Sequence, residues 1–165
     1  MKYKLTDETK EVFGKTLHRI VCVTAFASVS VGDMGGWIET ENNLDQYGDA
    51  WVYGDAEVYG DAKVSGNAKV YSDAEVYGDA EVYGDAKVYG NAKVEKSSDY
   101  AVYKNTWSSM RYFTWTRSND KWAVGCFYGT GEELIAKAYK DSELSGKCYE
   151  AVVNMRNELT KLEQV

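Results

Sequence analysis

Between Tyr47 and Val94 the chain repeats one six-residue pattern eight times without a gap: YGDAWV, YGDAEV, YGDAKV, SGNAKV, YSDAEV, YGDAEV, YGDAKV, YGNAKV. Within each A-x-V triplet the side chains alternate, so alanine and valine share one side and the residue between them takes the other. Val52, Val58, Val64, Val70, Val76, Val82, Val88 and Val94 therefore face inward, each with the alanine two positions before it. Glu57, Lys63, Lys69, Glu75, Glu81, Lys87 and Lys93 face water. The remaining Y-G-D is a corner, because Gly and the Asp or Asn after it accept positive φ and tight turns. One short strand and one corner per six residues make a flat face, and three faces close a triangular coil of 18 residues. A helix is excluded, since it needs a 3.6-residue period and a Gly every six residues would weaken it.

The pattern changes on both sides of the repeats. Residues 1–28 are expected to form an N-terminal cap, 29–96 the coil, and 97–165 a small α+β domain. In that last segment Arg111–Arg117 and Lys121–Tyr128 are β-prone runs around Ser118-Asn119-Asp120, which reads as a hairpin. A helix is expected from Thr130, with Thr130 and Glu133 as a capping box, and a second from about Ser142 to Leu162. Cys148, Val152, Met155, Leu159 and Leu162 are spaced four, three, four, three along it. Two readings of this stripe stay open, packing on the hairpin or a short coiled-coil seam between protomers.

The repeat resembles the hexapeptide pattern of left-handed parallel β-helix proteins, aliphatic at one position and small at another. That resemblance implies a left-handed coil and a habit of trimerisation. Upstream, VCVTAFASVSVGDMGGWIETENNL resembles the lead-in segment of an acyltransferase-like bacterial branch, and Ile38 and Leu44, six apart, imply one more irregular coil. From YKNTWSSMRYFTWT to GCFYGTGEELIAKAYKDSELSGKCYE the chain resembles a module on small proteins of gut bacteria and their phages.

Charge narrows the choice of partner. The net charge is −7 over 165 residues, and residues 47–96 hold 10 acidic against 5 basic side chains. The coil is thus a poor fit to phosphate backbones and a good fit to a basic protein surface. Residues 97–165 balance at 9 and 9, with a local basic group at Lys104, Arg111, Arg117 and Lys121. The three cysteines, Cys22, Cys126 and Cys148, lie far apart without a CxxC, which points to a reducing compartment. No apolar run approaches a membrane span, and the first residues lack a signal-peptide core. A cytoplasmic location is expected, in a bacterium or a phage-infected cell.

Candidate site residues lie at the corners and in the aromatic cluster of the C-terminal segment. Tyr53, Tyr71 and Tyr89 differ by 18 and line one edge, as do Asp55, Asp73 and Asn91, while Asp61 stacks with Asp79. Either row suits recognition, and turn chemistry alone also accounts for the aspartates. Tyr112, Trp115 and Trp122 are candidate partner contacts. Calcium is not expected, because the glycine- and aspartate-rich calcium-binding pattern of other β-helices is absent. The only histidine, His18, precedes the repeats, whereas the acyltransferases of the resembled family use a histidine as general base in or near the coils. The GTG at Gly129–Gly131 opens a helix without a following lysine and reads as a turn.

Three functions fit. The foremost is a non-catalytic interaction protein, an acidic rod with an aromatic head. It is a candidate phage or mobile-element inhibitor of a host defence system such as a CRISPR nuclease, without cofactor or metal, assembled as a homo-oligomer and most simply a trimer. The alternatives are a hexapeptide-family acyltransferase and a small-molecule binder with pockets between protomers.

Overall fold

Two-residue strands are the unit of the coil, and each is too short to stand without the copies stacked on it. In the computed structural model, which describes residues 1–164, the chain opens with β1 (Tyr3–Val12), β2 (Lys15–Cys22) and β3 (Met34–Ile38). The repeats follow as β4 (Trp51–Val52), β5 (Glu57–Val58), β6 (Lys63–Val64), β7 (Lys69–Val70), β8 (Glu75–Val76), β9 (Glu81–Val82), β10 (Lys87–Val88) and β11 (Lys93–Val94). Last come β12 (Tyr100–Lys104), β13 (Tyr112–Thr116), β14 (Lys121–Val124), β15 (Phe127–Gly129), α1 (Gly131–Asp141) and α2 (Glu143–Glu163). The chain is mainly β: a parallel β-solenoid of about three turns, then an antiparallel sheet and two helices.

The 18-residue step is seen directly in the register. Val52 lies over Val70 and Val70 beside Val88 on one face; Val58, Val76 and Val94 line the second; Val64 and Val82 the third. Every repeat alanine and valine is buried at 0 % exposure, so the inward assignment holds at all sixteen positions. The corners turn through positive φ at the repeat glycines. At Gly48 the need is also steric, since a Cβ there would meet the Gly66 carbonyl oxygen at 2.6 Å. Ser72 takes the same left-handed turn, at φ 60°, without being a glycine.

The coil begins later than Val29. Val29 instead closes a small antiparallel bridge with Phe26, and the first coil strand is β3, with Ile38 beside Val58. Leu44 bridges to Val64, completing the irregular coil expected from Ile38 and Leu44. These two pairings step by 20 residues, because the corner between Leu44 and Val52 carries two extra residues. Residues 1–22 do more than cover the end. β1 and β2 form a hairpin that pairs antiparallel with β3 and extends one solenoid face to the order β1-β2-β3-β5-β8-β11. Exposed sheet ends invite pairing with other chains, and this hairpin occupies one of them. Lys2, 5 % exposed, closes another: its ammonium donates to the Ala50 carbonyl at 2.8 Å and lies over the Phe26 ring.

The far end is closed by the C-terminal sheet, ordered β12-β13-β14-β15. The expected single hairpin is four strands. Gly125, at φ 60°, turns the second β-prone run back on itself, so that it supplies both β14 and β15. β12, not foreseen, pairs with β13. One sheet face packs Phe113, Trp115 and Trp122 against Leu134, Ala138, Tyr149 and Val153 of the helices. The other meets the coil, where the Lys87 amide donates to the Thr114 hydroxyl at 2.9 Å and the Lys93 amide to Ser118 at 2.7 Å. Both helices start as expected, with the Thr130–Glu133 capping box present and Ser142 accepting from the Ser145 amide. The face of α2 that packs inward, however, is Tyr149, Val153 and Arg156. The Met155, Leu159 and Leu162 side of the heptad-like stripe is exposed.

Candidate interaction surface

The three corners of the solenoid differ in what stacks on them. At the corner after β4, β7 and β10, Tyr53 and Tyr71 stack with centroids 4.5 Å apart and Tyr71 and Tyr89 at 4.2 Å. The row then passes to the C-terminal sheet. Tyr128 lies 5.9 Å beyond Tyr89, donates to the Tyr89 carbonyl and accepts from Asn119. The row is half-buried, and burial together with its two tyrosine neighbours raises the Tyr71 hydroxyl above its ordinary range. It is therefore first a joint between coil and tail, and only its outer edge is open to a partner.

At the second corner Tyr59 and Tyr77 stack at 5.4 Å. Tyr59 is buried beside Leu17 and Trp37, under the N-terminal hairpin, and donates to Glu75. At the third corner Asp45 and Ser65 take the ladder place, their amides donating to the carbonyls of Val64 and Val82, and Tyr47 lies in the two-residue insertion that follows Asp45. Tyr47 is 81 % exposed and Tyr83 58 %.

The carboxylates fall into two groups. Three of those carried on or beside the strands are matched by cations, Glu57 by Lys10 at 2.6 Å, Glu39 by Lys15 at 2.9 Å and Glu75 by Lys93 at 3.2 Å, while Glu81 on β9 is exposed and has no ion pair among the described residues. Those at the corners are not matched. Asp55, Asp61, Asp73 and Asp79 are exposed, and among the described residues none of them forms an ion pair. The structure thus brings the four sequence-predicted aspartates to the surface in two columns. A groove of about 1210 Å³ runs along the third face beside one column. It is lined by Glu39, Glu41, Asp45, Asp61, Asp79 and Glu81 against Lys15 and Lys63. Sequence reading missed this groove, because the short 3-10 turn at Glu41–Asn43 that walls it lies before the repeats. Asn43, 1 % exposed, pins that turn by donating to the carbonyls of Gly60 and Ala62. The one available signal was Leu44 standing eight residues, not six, before Val52.

The aromatic candidates separate. Trp115 and Trp122, at 2 % and 1 % exposure, are core residues and cannot serve as surface contacts. Periodicity marks the face of a strand, and here the covering helices bury the face that bears them. Trp115 is further enclosed by Arg156 and Arg117 over its ring, with Glu163 between the two guanidinium groups. Those two arginines hold the Glu163 carboxyl down to about 2. Arg117 is thereby neutralised and drops out of the basic group. Tyr112 alone stays available, 41 % exposed, with Lys104 over its ring.

His18 sits half-buried on β2, its Nδ1 3.3 Å from the Thr6 carbonyl. Among the described residues no group of three or more His, Cys, Asp or Glu side chains is placed to hold a metal. No described helix is long and apolar enough to cross a membrane. The cysteines are free: Cys22 buried, Cys126 exposed, Cys148 partly covered. No protein-family model and no curated protein sequence matches this chain.

Proposed function

We propose that this protein acts by binding another protein, using the aspartate columns of its solenoid as a fixed acidic surface for a basic partner. The observation that carries this reading is the contrast among carboxylates: Glu57 and Glu75 on the strands are matched by lysines, while among the described residues Asp55, Asp61, Asp73 and Asp79 stand exposed without a cation. Complementary fields of this kind speed encounter and select positive patches, and salt weakens them. The resemblance of the repeat to the left-handed β-helix pattern supports a left-handed coil and a homotrimer here. The phage-like tail favours a cytoplasmic inhibitor of a host defence system, such as a nuclease whose nucleic-acid channel the acidic surface fits.

The test is capture of a partner from bacterial lysate with the parent and with Asp55→Asn/Asp61→Asn/Asp73→Asn/Asp79→Asn. Asparagine occupies the same corner place at Asn67 and Asn91, so the fold is kept while four charges are lost. The expected result is salt-sensitive capture by the parent and none by the variant. Equal capture by both refutes the acidic-surface mechanism.

A further inference from the structure

The strand-borne charges of the solenoid stack mostly with their opposites or find a counter-charge elsewhere. Lys63 lies in register with Glu81, and Lys93 with Glu75. Glu57 and Glu75 are like-charged neighbours, but Lys10 at 2.6 Å and Lys93 at 3.2 Å relieve them. Lys69 and Lys87 are the exception. They lie in register on β7 and β10, and among the described residues neither forms an ion pair. Like charges directly opposite on adjacent strands are destabilising. A third cation shares their situation. Arg19, Arg117 and Arg156 each lie within 4.0 Å of a carboxylate, and Arg111 does not.

The fold brings these three unmatched cations to one hollow of about 430 Å³. Lys69 and Lys87, half-buried, come from the coil. Arg111 comes from the tail, just before β13, with its Nη1 3.7 Å from the place a Cβ on Gly125 would take. Tyr112 also lines the hollow, and Lys104 lies over its ring. The basic group that the sequence marks in the tail is thus divided: Arg117 is spent on Glu163 and Asp99, while Arg111 and Lys104 stand at the hollow. Asp49 and Asp85 complete the lining with Asn67, which donates to Asp85 at 3.2 Å.

We infer that this hollow is a binding site for a single phosphoryl group, carried by a small monoester or free as phosphate. The inference goes beyond the protein-binding reading and does not depend on it. Four cations, Lys69, Lys87, Arg111 and Lys104, against two carboxylates, Asp49 and Asp85, leave two positive charges. A phosphate monoester carries about −2 at neutral pH, with three strong acceptor oxygens. Lysine meets such a group as a point charge and arginine as a fork of donors, so the three oxygens serve the lysine pair and the guanidinium together. A carboxylate has one charge and two oxygens and leaves part of this set unmatched. A nucleic-acid strand has the right group but too many of them: Asp49, Asp85 and the acidic coil repel the phosphates that follow the first.

The probes are glycerol 3-phosphate and inorganic phosphate, titrated against the whole chain at constant ionic strength and followed by amide NMR shifts. Acetate and a 5′-phosphorylated five-nucleotide strand are the controls. Saturable shifts are expected at the amides of Lys69, Lys87 and Arg111, with acetate about ten-fold weaker. The tighter of the two phosphates identifies the source of the group. Lys69→Glu is the decisive variant, because Glu57, Glu75 and Glu81 hold the same place in other repeats and a glutamate there stacks on Lys87 as an opposite charge. It should melt no lower than the parent and yet bind phosphate at least about ten-fold more weakly, as should Arg111→Gln. Lys137→Glu, an equal change of charge on α1 outside the hollow, should alter binding by less than about two-fold. The inference is overturned by the absence of saturable shifts with both phosphates, by acetate or the nucleotide strand binding as tightly, by an unchanged affinity in Lys69→Glu, or by an equal loss in Lys137→Glu.

Discussion

Val70 and Lys69 are chemical neighbours with opposite surroundings, and exchanging each for aspartate isolates what the inward face contributes. Val70 is at 0 % exposure, between Val52 and Val88 in the central coil. Val70→Asp loses the transfer free energy of a buried valine, about 1.5–3 kcal/mol, and leaves an uncompensated buried charge costing about 3–5 kcal/mol. For a chain of this size each kcal/mol lowers the melting temperature by about 2–4 °C, so a fall of roughly 10–30 °C is expected. In a solenoid each coil touches only its neighbours, so the damage divides the stack at its middle instead of fraying one end. Lys69 sits on the outside, paired in register with Lys87 and Trp51. Lys69→Asp replaces a like-charge pair by an opposite one, and its effect should stay within about 0.5 kcal/mol, about 2 °C or less. Thermal unfolding followed by far-ultraviolet circular dichroism measures both. Equal melting temperatures for the two variants refute the inward assignment and the parallel stacking with it.

Ser72→Gly should stabilise the protein by about 0.5–1 kcal/mol, because Ser72 holds a left-handed turn, φ 60°, that its seven counterparts give to glycine; a lower denaturant midpoint for the variant sinks this. Stability should decline steeply above pH 10. Burial raises the hydroxyls of Tyr3, Tyr59, Tyr71, Tyr77, Tyr100 and Tyr149 above their ordinary value of 10.0. The unfolded chain therefore releases these protons first, and stability present below pH 10 is lost as pH rises through the folded values; a urea midpoint that is flat from pH 9 to 11.5 contradicts it. Light scattering at micromolar concentration should report three times the 18.5 kDa chain, and Leu159→Glu, on the exposed stripe of α2, should give the single chain; a monomeric parent ends the trimer reading. Trp115→Ala should cost about 3–5 kcal/mol and Tyr112→Ala under about 1, since only the first is core; similar losses would place Tyr112 inside the fold.

The solenoid was legible because its rule is local and repeated: Ala and Val at a fixed distance from a glycine define a face whatever the rest of the chain does. The C-terminal domain was legible only in part. Ser118-Asn119-Asp120 and the Thr130 cap are local signals, and both elements appear where those residues stand. Which face of β13 is covered is a tertiary fact, so Trp115 and Trp122 read as contacts until the helices are seen lying on them. The stripe on α2 misled in the same way. Its inward face includes Tyr149 and Arg156, and an arginine stacked on an indole is invisible to a count of apolar positions.

The register also governs how such a protein can grow. Adding 18 residues inserts one whole coil, lengthens the rod by roughly 4.8 Å and returns both ends to the same orientation. Adding six, the natural unit of a duplication here, presents the C-terminal sheet with the next face of the triangle and turns it by about a third of a revolution relative to the N-terminal hairpin. The joint at Thr114 and Tyr128 is fitted to β10 and its corner, so lineages that change length by single repeats have to remake it. Those that change by three keep it, and gain a gauge whose reach is set in whole coils while its two ends keep their bearing.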